Sequence, residues 1–305
     1  MTSWQELQHE VQLKKNIDLV RREKYSRLVE VSKRPLIVYA SAFTVQLKNQ
    51  FQHLMVLDLS DKEGFEEVTK KIPGKEVDIL IHSPGGSAEA TESIVKILRN
   101  RFSNIRFLVP GVAKSAATML ALSGDKIIMT KSSELGPIDP QIRVRDRFSP
   151  AGSIIEQFEK ANKQIRNNPE SLPAWIPILQ EYAPCLLVEC KNYTELAESL
   201  VKNWMRDYMF NGEFSKITDK KIRNIAKFFT NEKMNLSHAR RIDYDQINKI
   251  GVKVQLADDL GKDFSEAFND VYLSIIQTLT YSDAIKIFEN SNNDALILNI
   301  QSTPI

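Results

Sequence analysis

The feature that most constrains this chain is a run of short apolar segments alternating with amphipathic ones between residues 76 and 130. "EVDILIHS" (76–83), "NIRFLVP" (104–110) and "DKIIMT" (125–130) are strand-sized and rich in β-branched residues. Between them stand "SAEATESIVKILRNR" (87–101) and "SAATMLALSG", which carry helical spacing. Strands that alternate with helices build parallel βα units. Strands so uniformly apolar are covered on both faces. The expected class is therefore α/β.

The same reading extends outward. Residues 3–31 carry an amphipathic stripe and predict one N-terminal helix, ended before "RPLIVYASAF", a strand, by Pro35. "HLMVLDL" (53–59) predicts a strand, and 60–72 a helix with Ser60 and Glu63 at capping-box spacing. After Pro150 the pattern turns helical, over 152–167, 173–183, 185–210 and 215–229. A turn into a helix follows over 238–251, then a short strand or loop, then a helix over 264–279. The tail, 280–305, reads as a hairpin or an oligomer contact. With no repeat or clear linker, the expected organisation is an N-terminal helix (1–33), one α/β domain (34–280) and the tail (281–305).

Composition excludes several classes. The 305 residues are 42% hydrophobic and 26% charged, enough for a sizeable core. A net charge of +2 does not suit a protein built to hold nucleic acid. Two cysteines, Cys185 and Cys190, with no Cys/His cluster at zinc spacing, give neither a disulfide framework nor a metal site. No cofactor is expected. No apolar run approaches a membrane span and no signal-peptide core stands at the start, so a cytoplasmic protein is expected, with membrane contact not supported by the sequence.

Two motifs could carry chemistry. In "IHSPGGS" (81–87), Gly85 and Gly86 follow a buried strand, so backbone amides can approach a ligand or an oxyanion; the alternative is a tight strand-to-helix turn. In "GVAKSAATML", Ser115 opens the helix after the next strand, where it could be a nucleophile with the Ala116 amide beside it, or simply a helix cap. Consecutive parallel units bring both strand ends to one sheet edge, where open α/β folds bind ligands.

"LIHSPGGSAEA", "VPGVAKSAATMLALSGDKIIM" and "SSELGPIDPQI" together resemble the serine dehydrogenase proteinase family, distant relatives of the Clp proteolytic subunit and of signal-peptide peptidase A. The resemblance implies the Clp/crotonase fold, stacked ββα units with helical additions at both ends. It also implies peptide-bond hydrolysis through an acyl-enzyme, with Ser115 as nucleophile and Gly85, Gly86 and Ala116 at the oxyanion positions. A homo-oligomer acting on peptides or unfolded protein follows from it, and no Walker A loop is present to drive unfolding.

The base is open. The Clp histidine, some 25 residues after its serine, has no counterpart in "KSSELGPIDPQI". The family order Ser, Asp, His points to Asp139 in "GPIDPQ" and His238 in "SHARRI". Apart from that resemblance, Asp139 could be a turn residue and His238 a surface residue at a helix entry. A Ser/Lys dyad like that of the signal-peptide peptidase A relatives would use Lys160 or Lys191 instead. His82, beside the glycine turn, points either way. Lys114 stands where the family has an apolar residue, and it could either raise local positive potential or intrude on the site. Two rival readings are an inactive, peptide-binding scaffold of the same fold and crotonase-like acyl-CoA chemistry.

Overall fold

A computed structural model describes residues 2–300. In chain order its helices and strands begin with α1 (Trp4–Lys14), α2 (Ile17–Ser32), β1 (Leu36–Ser41), α3 (Asp61–Thr69), β2 (Glu76–His82), α4 (Ala88–Arg101), β3 (Asn104–Val109) and β4 (Val112–Ala113). They continue with α5 (Ala116–Leu122), β5 (Lys126–Met129), β6 (Glu134–Leu135), β7 (Gln141–Val144), β8 (Arg147–Pro150), α6 (Ala151–Asn167), α7 (Leu172–Leu179) and α8 (Leu186–Trp204). Then come α9 (Lys216–Thr230), α10 (Glu232–Asn235), α11 (Tyr244–Lys249), β9 (Val254–Leu256), α12 (Lys262–Tyr281), β10 (Ala284–Asn290) and β11 (Ala295–Asn299).

The main sheet has seven strands in the order β11-β10-β1-β2-β3-β5-β9. From β1 to β9 every pairing is parallel, as the strand–helix alternation predicts. The tail closes the other edge as an antiparallel hairpin, β10–β11, beside β1. Neighbouring residues along each strand point to opposite faces. Ile37, Ile79, Phe107 and Ile127 thus enter one core, with α3, α4, α5, α8 and α9. Val38, Leu80, Leu108 and Ile128 enter the other, with α2 and α12. Both faces are covered, which is why these strands are mostly apolar and show no regular polar alternation. A buried ion pair, Arg21 Nε to Glu289 Oε2 at 2.7 Å, ties α2 to β10.

Three sequence expectations need correction. The N-terminal helix is two: Lys15 takes a left-handed conformation (φ 52°) and Asn16 caps a new helix. Residues 53–59 are not a laddered strand; a 3-10 helix runs over Gln46–Leu54, and Leu57 makes only an isolated bridge to Gly86. The capping box at Ser60 does not form, because Ser60 gives both its N–H and its hydroxyl to Asp58. Among the described residues no helix is long and apolar enough to cross a membrane.

Candidate active site

Main-chain registry builds the first half of the site. Beyond β2 and β3 the chain makes one more parallel bridge, Ser83 with Ala113: Ser83 N–H donates to Val112 O (3.0 Å) and Lys114 N–H to Ser83 O (3.1 Å). Two residues past this bridge on each side stand Gly85 and Ser115, so the glycine pair and the serine emerge side by side. The approach is close enough to require glycine. A Cβ on Gly85, whose φ is 91°, would lie 2.4 Å from the Lys114 carbonyl oxygen and 2.7 Å from Ser115 Cβ. A Cβ on Gly86 would fall 2.0 Å from Leu57 O.

Leu57 holds the glycine loop from its other side. Its N–H donates to Gly85 O (2.8 Å), and its carbonyl accepts from Ser87 N–H (2.9 Å). A bridge of this kind consumes the groups on either side of Gly86 and leaves the Gly86 N–H out. Ala116, first residue of α5, has no intrahelical acceptor for its own N–H. Among the described residues neither amide has an acceptor. Behind Leu57, Asp58 N–H donates to Asp61 Oδ2, and Asp61 is in turn bonded by Lys286 Nζ (2.6 Å) and Tyr39 OH (3.0 Å). Burial lifts the Asp61 carboxyl above its ordinary range in spite of Lys286.

Ser115 stands at the N-cap position of α5 without capping it. Its side chain makes no capping bond, and its backbone sits at φ 49° and ψ −122°, a conformation that L residues adopt only under constraint. Its hydroxyl has no partner among the described residues. The constraint is visible: Lys114 O accepts from Ala117 N–H (2.8 Å), and Thr118 Oγ1 donates back to Ala113 O (2.7 Å). Thr118 also accepts from Gly136 N–H (3.0 Å), which pins the "GPIDPQ" turn against the start of α5.

Side chains build the second half. Asp139 is 3% exposed, and its two oxygens are separately engaged. Oδ1 lies 3.0 Å from His238 Nδ1, and Oδ2 accepts from Gln141 Nε2 at 2.7 Å. A carboxylate only accepts, so the imidazole donates from Nδ1 in this contact, which in a neutral ring leaves Nε2 as the acceptor nitrogen. His238 rides on the segment between α10 and α11, which an antiparallel bridge, Leu135 with Ile242, fastens to β6.

The two halves line one cavity of about 680 Å³: Gly85, Gly86, Ser115, Ala116, Asp139 and His238 all border it. Met119, one turn after Ser115, gives it an apolar floor with Ile138 and Ala197, all three buried. Lys160 and Lys191 are exposed on α6 and α8 and border none of it, so no Ser/Lys pairing is formed with either. His82 points away, to the α12 face, between Phe43 and Tyr272. It is fully buried, and burial pulls its pKa down to about 3. Lys114 also turns from the cavity, so it does not intrude. Among the described residues no cluster of three or more His, Cys, Asp or Glu side chains is placed to hold a metal ion. Sequence reasoning missed Gln141, Thr118 and Leu57. Gln141 was discoverable, two residues from Asp139; Leu57 was hidden inside an apolar run that looked like a strand.

Among solved structures, the chain is similar to a membrane-bound stomatin-specific protease, 1510-N, in two mutant forms. One shares 16% identity at a TM-score of 0.40, covering 66% of this chain and 74% of the other. The second, in complex with a substrate peptide, shares 15% at 0.38, covering 87% and 84%. A mutant ClpP1 from Listeria monocytogenes shares 13% at 0.36, covering 70% and 99%. Two uncharacterized proteins of Methanocaldococcus jannaschii are similar in sequence. MJ1495 is 27% identical over 178 residues, 58% of this chain and 51% of its own length. MJ0137 is 33% identical over 168 residues, 50% and 57% respectively. The chain thus spans about half the length of these relatives. The sequence profile of the ClpP-like SDH-type serine proteinases matches residues 8–172, more than half of the chain, and the protein belongs to that family.

Proposed function

We propose that this chain is a serine endopeptidase that cleaves peptide bonds through an acyl-enzyme at Ser115. The observation that carries the reading is one cavity bordered by a constrained, unpartnered serine, a glycine turn with a spare N–H, and a histidine oriented by a buried carboxylate. In the first step His238 Nε2 takes the Ser115 proton as Oγ attacks the scissile carbonyl carbon. The negative charge that develops on the carbonyl oxygen is met by the Gly86 and Ala116 amides, whose N–H groups have no other acceptor among the described residues. The imidazolium, held by Asp139, then protonates the leaving amine as the carbon–nitrogen bond breaks. Water, deprotonated by the same histidine, releases the acyl group and restores Ser115.

The apolar floor of Met119, Ile138 and Ala197 favours an uncharged side chain next to the scissile bond. Substrates in this reading are peptides or unfolded segments, which need no nucleotide to enter. A cytoplasmic homo-oligomer is the assembly it carries over from the family. The test is a fluorophosphonate probe followed by peptide mapping, alongside hydrolysis of an unstructured peptide. Labelling at Ser115, and loss of hydrolysis by about 10⁴-fold or more in Ser115→Ala, are expected. Unlabelled folded protein, or a Ser115→Ala variant as active as the parent, overturns the reading.

A further inference from the structure

Lys114 contacts both the serine turn and the histidine segment without bordering the cavity. Its main chain belongs to the first half: the N–H donates to Ser83 O, and the carbonyl receives the Ala117 N–H at the start of α5. Its side chain runs the other way, across Gly136, where a Cβ would come within 2.6 Å of Lys114 Cδ. The ammonium then pairs with one carboxylate and donates to two main-chain carbonyls. They are Glu134 Oε1 (3.0 Å), Leu135 O (3.1 Å) and Arg240 O (3.1 Å). The first two belong to β6. The third lies two residues after His238, on the segment that carries the imidazole.

We propose that Lys114 is a positioning residue that sets the reach between Ser115 and His238, by fastening the main chain of the histidine segment to the residue immediately before the nucleophile. The inference rests on the peptidase reading above. Among the described residues no other hydrogen bond joins the serine turn directly to that segment. The Ile242 bridge and the contacts of Arg241 with Lys131 O and Glu134 hold it to β6 and its approach, farther from His238 along the chain. The geometry also excludes Lys114 as a general base, because its nitrogen is committed to one carboxylate and two carbonyls and its side chain, 15% exposed, lies outside the cavity.

A positioning role separates kcat from KM. The substrate cavity keeps its walls when Lys114 changes, while the histidine loses its registration, and a displacement of about 1 Å can cost about 100-fold in rate. The experiment measures peptide hydrolysis and fluorophosphonate labelling for Lys114→Arg, Lys114→Gln and Lys114→Met, with circular dichroism confirming the fold of each. The expected order of kcat is parent, Arg, Gln, Met, because a guanidinium keeps charge and donors, an amide keeps donors only, and a thioether keeps neither. Lys114→Met is expected to lose about 10- to 100-fold in kcat with KM changed less than about twofold. Should Lys114→Met fail to fold, the Arg-to-Gln step carries the same comparison. Equal kcat across the folded variants, or a loss confined to KM, overturns the proposal while labelled parent enzyme leaves the peptidase reading standing. Parent enzyme unlabelled at Ser115 overturns that reading, and this one with it.

Discussion

The two halves of the candidate site are held by different kinds of force. The serine half is made of main chain. Parallel bridges at Ser83–Ala113 and Leu57–Gly86 set where the glycine pair and Ser115 emerge, and the side chains of Ser83 and Thr118 brace that main chain through bonds to the Gly85 N–H and the Ala113 carbonyl. The histidine half is made of side chains from distant parts of the sequence: Asp139 and His238 are 99 residues apart, and Lys114 is 126 from Arg240. Backbone registry is stiff and tolerates substitution only where a Cβ fits. Side-chain registry folds without its contacts and loses only its aim. Substitutions in the histidine half are therefore expected to damage rate more than stability, and substitutions in the serine half the reverse, the nucleophile itself excepted.

Asp139→Asn gives the largest effect that tests this contrast. The amide keeps the volume of the carboxylate but carries no charge to hold an imidazolium. If it turns its NH₂ toward His238, it also forces the proton onto Nε2, where the lone pair is needed. A fall of about 10²- to 10⁴-fold in kcat is expected, with the melting temperature changed little. An unchanged rate would detach Asp139 from the chemistry and leave His238 as a surface residue that happens to touch a buried turn.

The serine half has a titratable group built into its underside, and it supplies the second test. His82 ends β2 just before the glycine turn, fully buried, with its pKa at about 3 against an ordinary value of 6.5. Its Nδ1 has no partner among the described residues, so burial is the cause and nothing offsets it. The folded chain keeps this ring neutral where the unfolded chain protonates it. Its contribution is therefore fully present above about pH 6.5 and is lost as pH falls from there towards 3, by about 1.4 kcal/mol per pH unit. Denaturant unfolding between pH 4.5 and 6.5 is expected to show a shallower pH slope in His82→Phe than in the parent, by up to one proton. Equal slopes would mean that His82 titrates alike in both states.

The same division explains what could be read from the sequence. The βα core was legible because a strand covered on both faces is mostly apolar, as "ILI" and "FLV" are, with Asp78 admitted only in ion pairs to Arg34 and Arg106. The glycine pair and Ser115 were legible because main-chain geometry demands particular residues at particular spacings. The run at 53–59 misled for a physical reason: Met55 and Leu57 are buried as any strand residue would be, but they bury in passing, without a ladder. Lys15 gave no warning of the break between α1 and α2, since lysine is a good helix former that here takes a left-handed turn. The direction of His82 was not readable at all, because at the end of a doubly covered strand either face offers burial. Nor was the role of Lys114, whose partners lie on β6 and on a loop that only the fold brings near.

The smallest effect is the most direct measure of the constraint in the serine half. Ser115→Gly and Ser115→Ala both remove the hydroxyl proposed as nucleophile, so neither serves as an activity test, and neither loses a cap bond, because none is made. They differ in the Cβ alone. At φ 49° and ψ −122° a side-chain-bearing residue is under strain of about 1–3 kcal/mol, and glycine is not. Part of that gain is offset by the larger freedom of glycine in the unfolded chain, about 0.4–1 kcal/mol. Ser115→Gly is thus expected to exceed Ser115→Ala in stability by about 1 kcal/mol, or roughly 1–2 °C in melting temperature. This inverts the ordinary preference for alanine over glycine in helical segments. If alanine is instead the more stable, the backbone at Ser115 relaxes once the hydroxyl is gone. The strain would then belong to the serine side chain rather than to the registry of the two strands, and the contrast between the halves would narrow to the glycine pair.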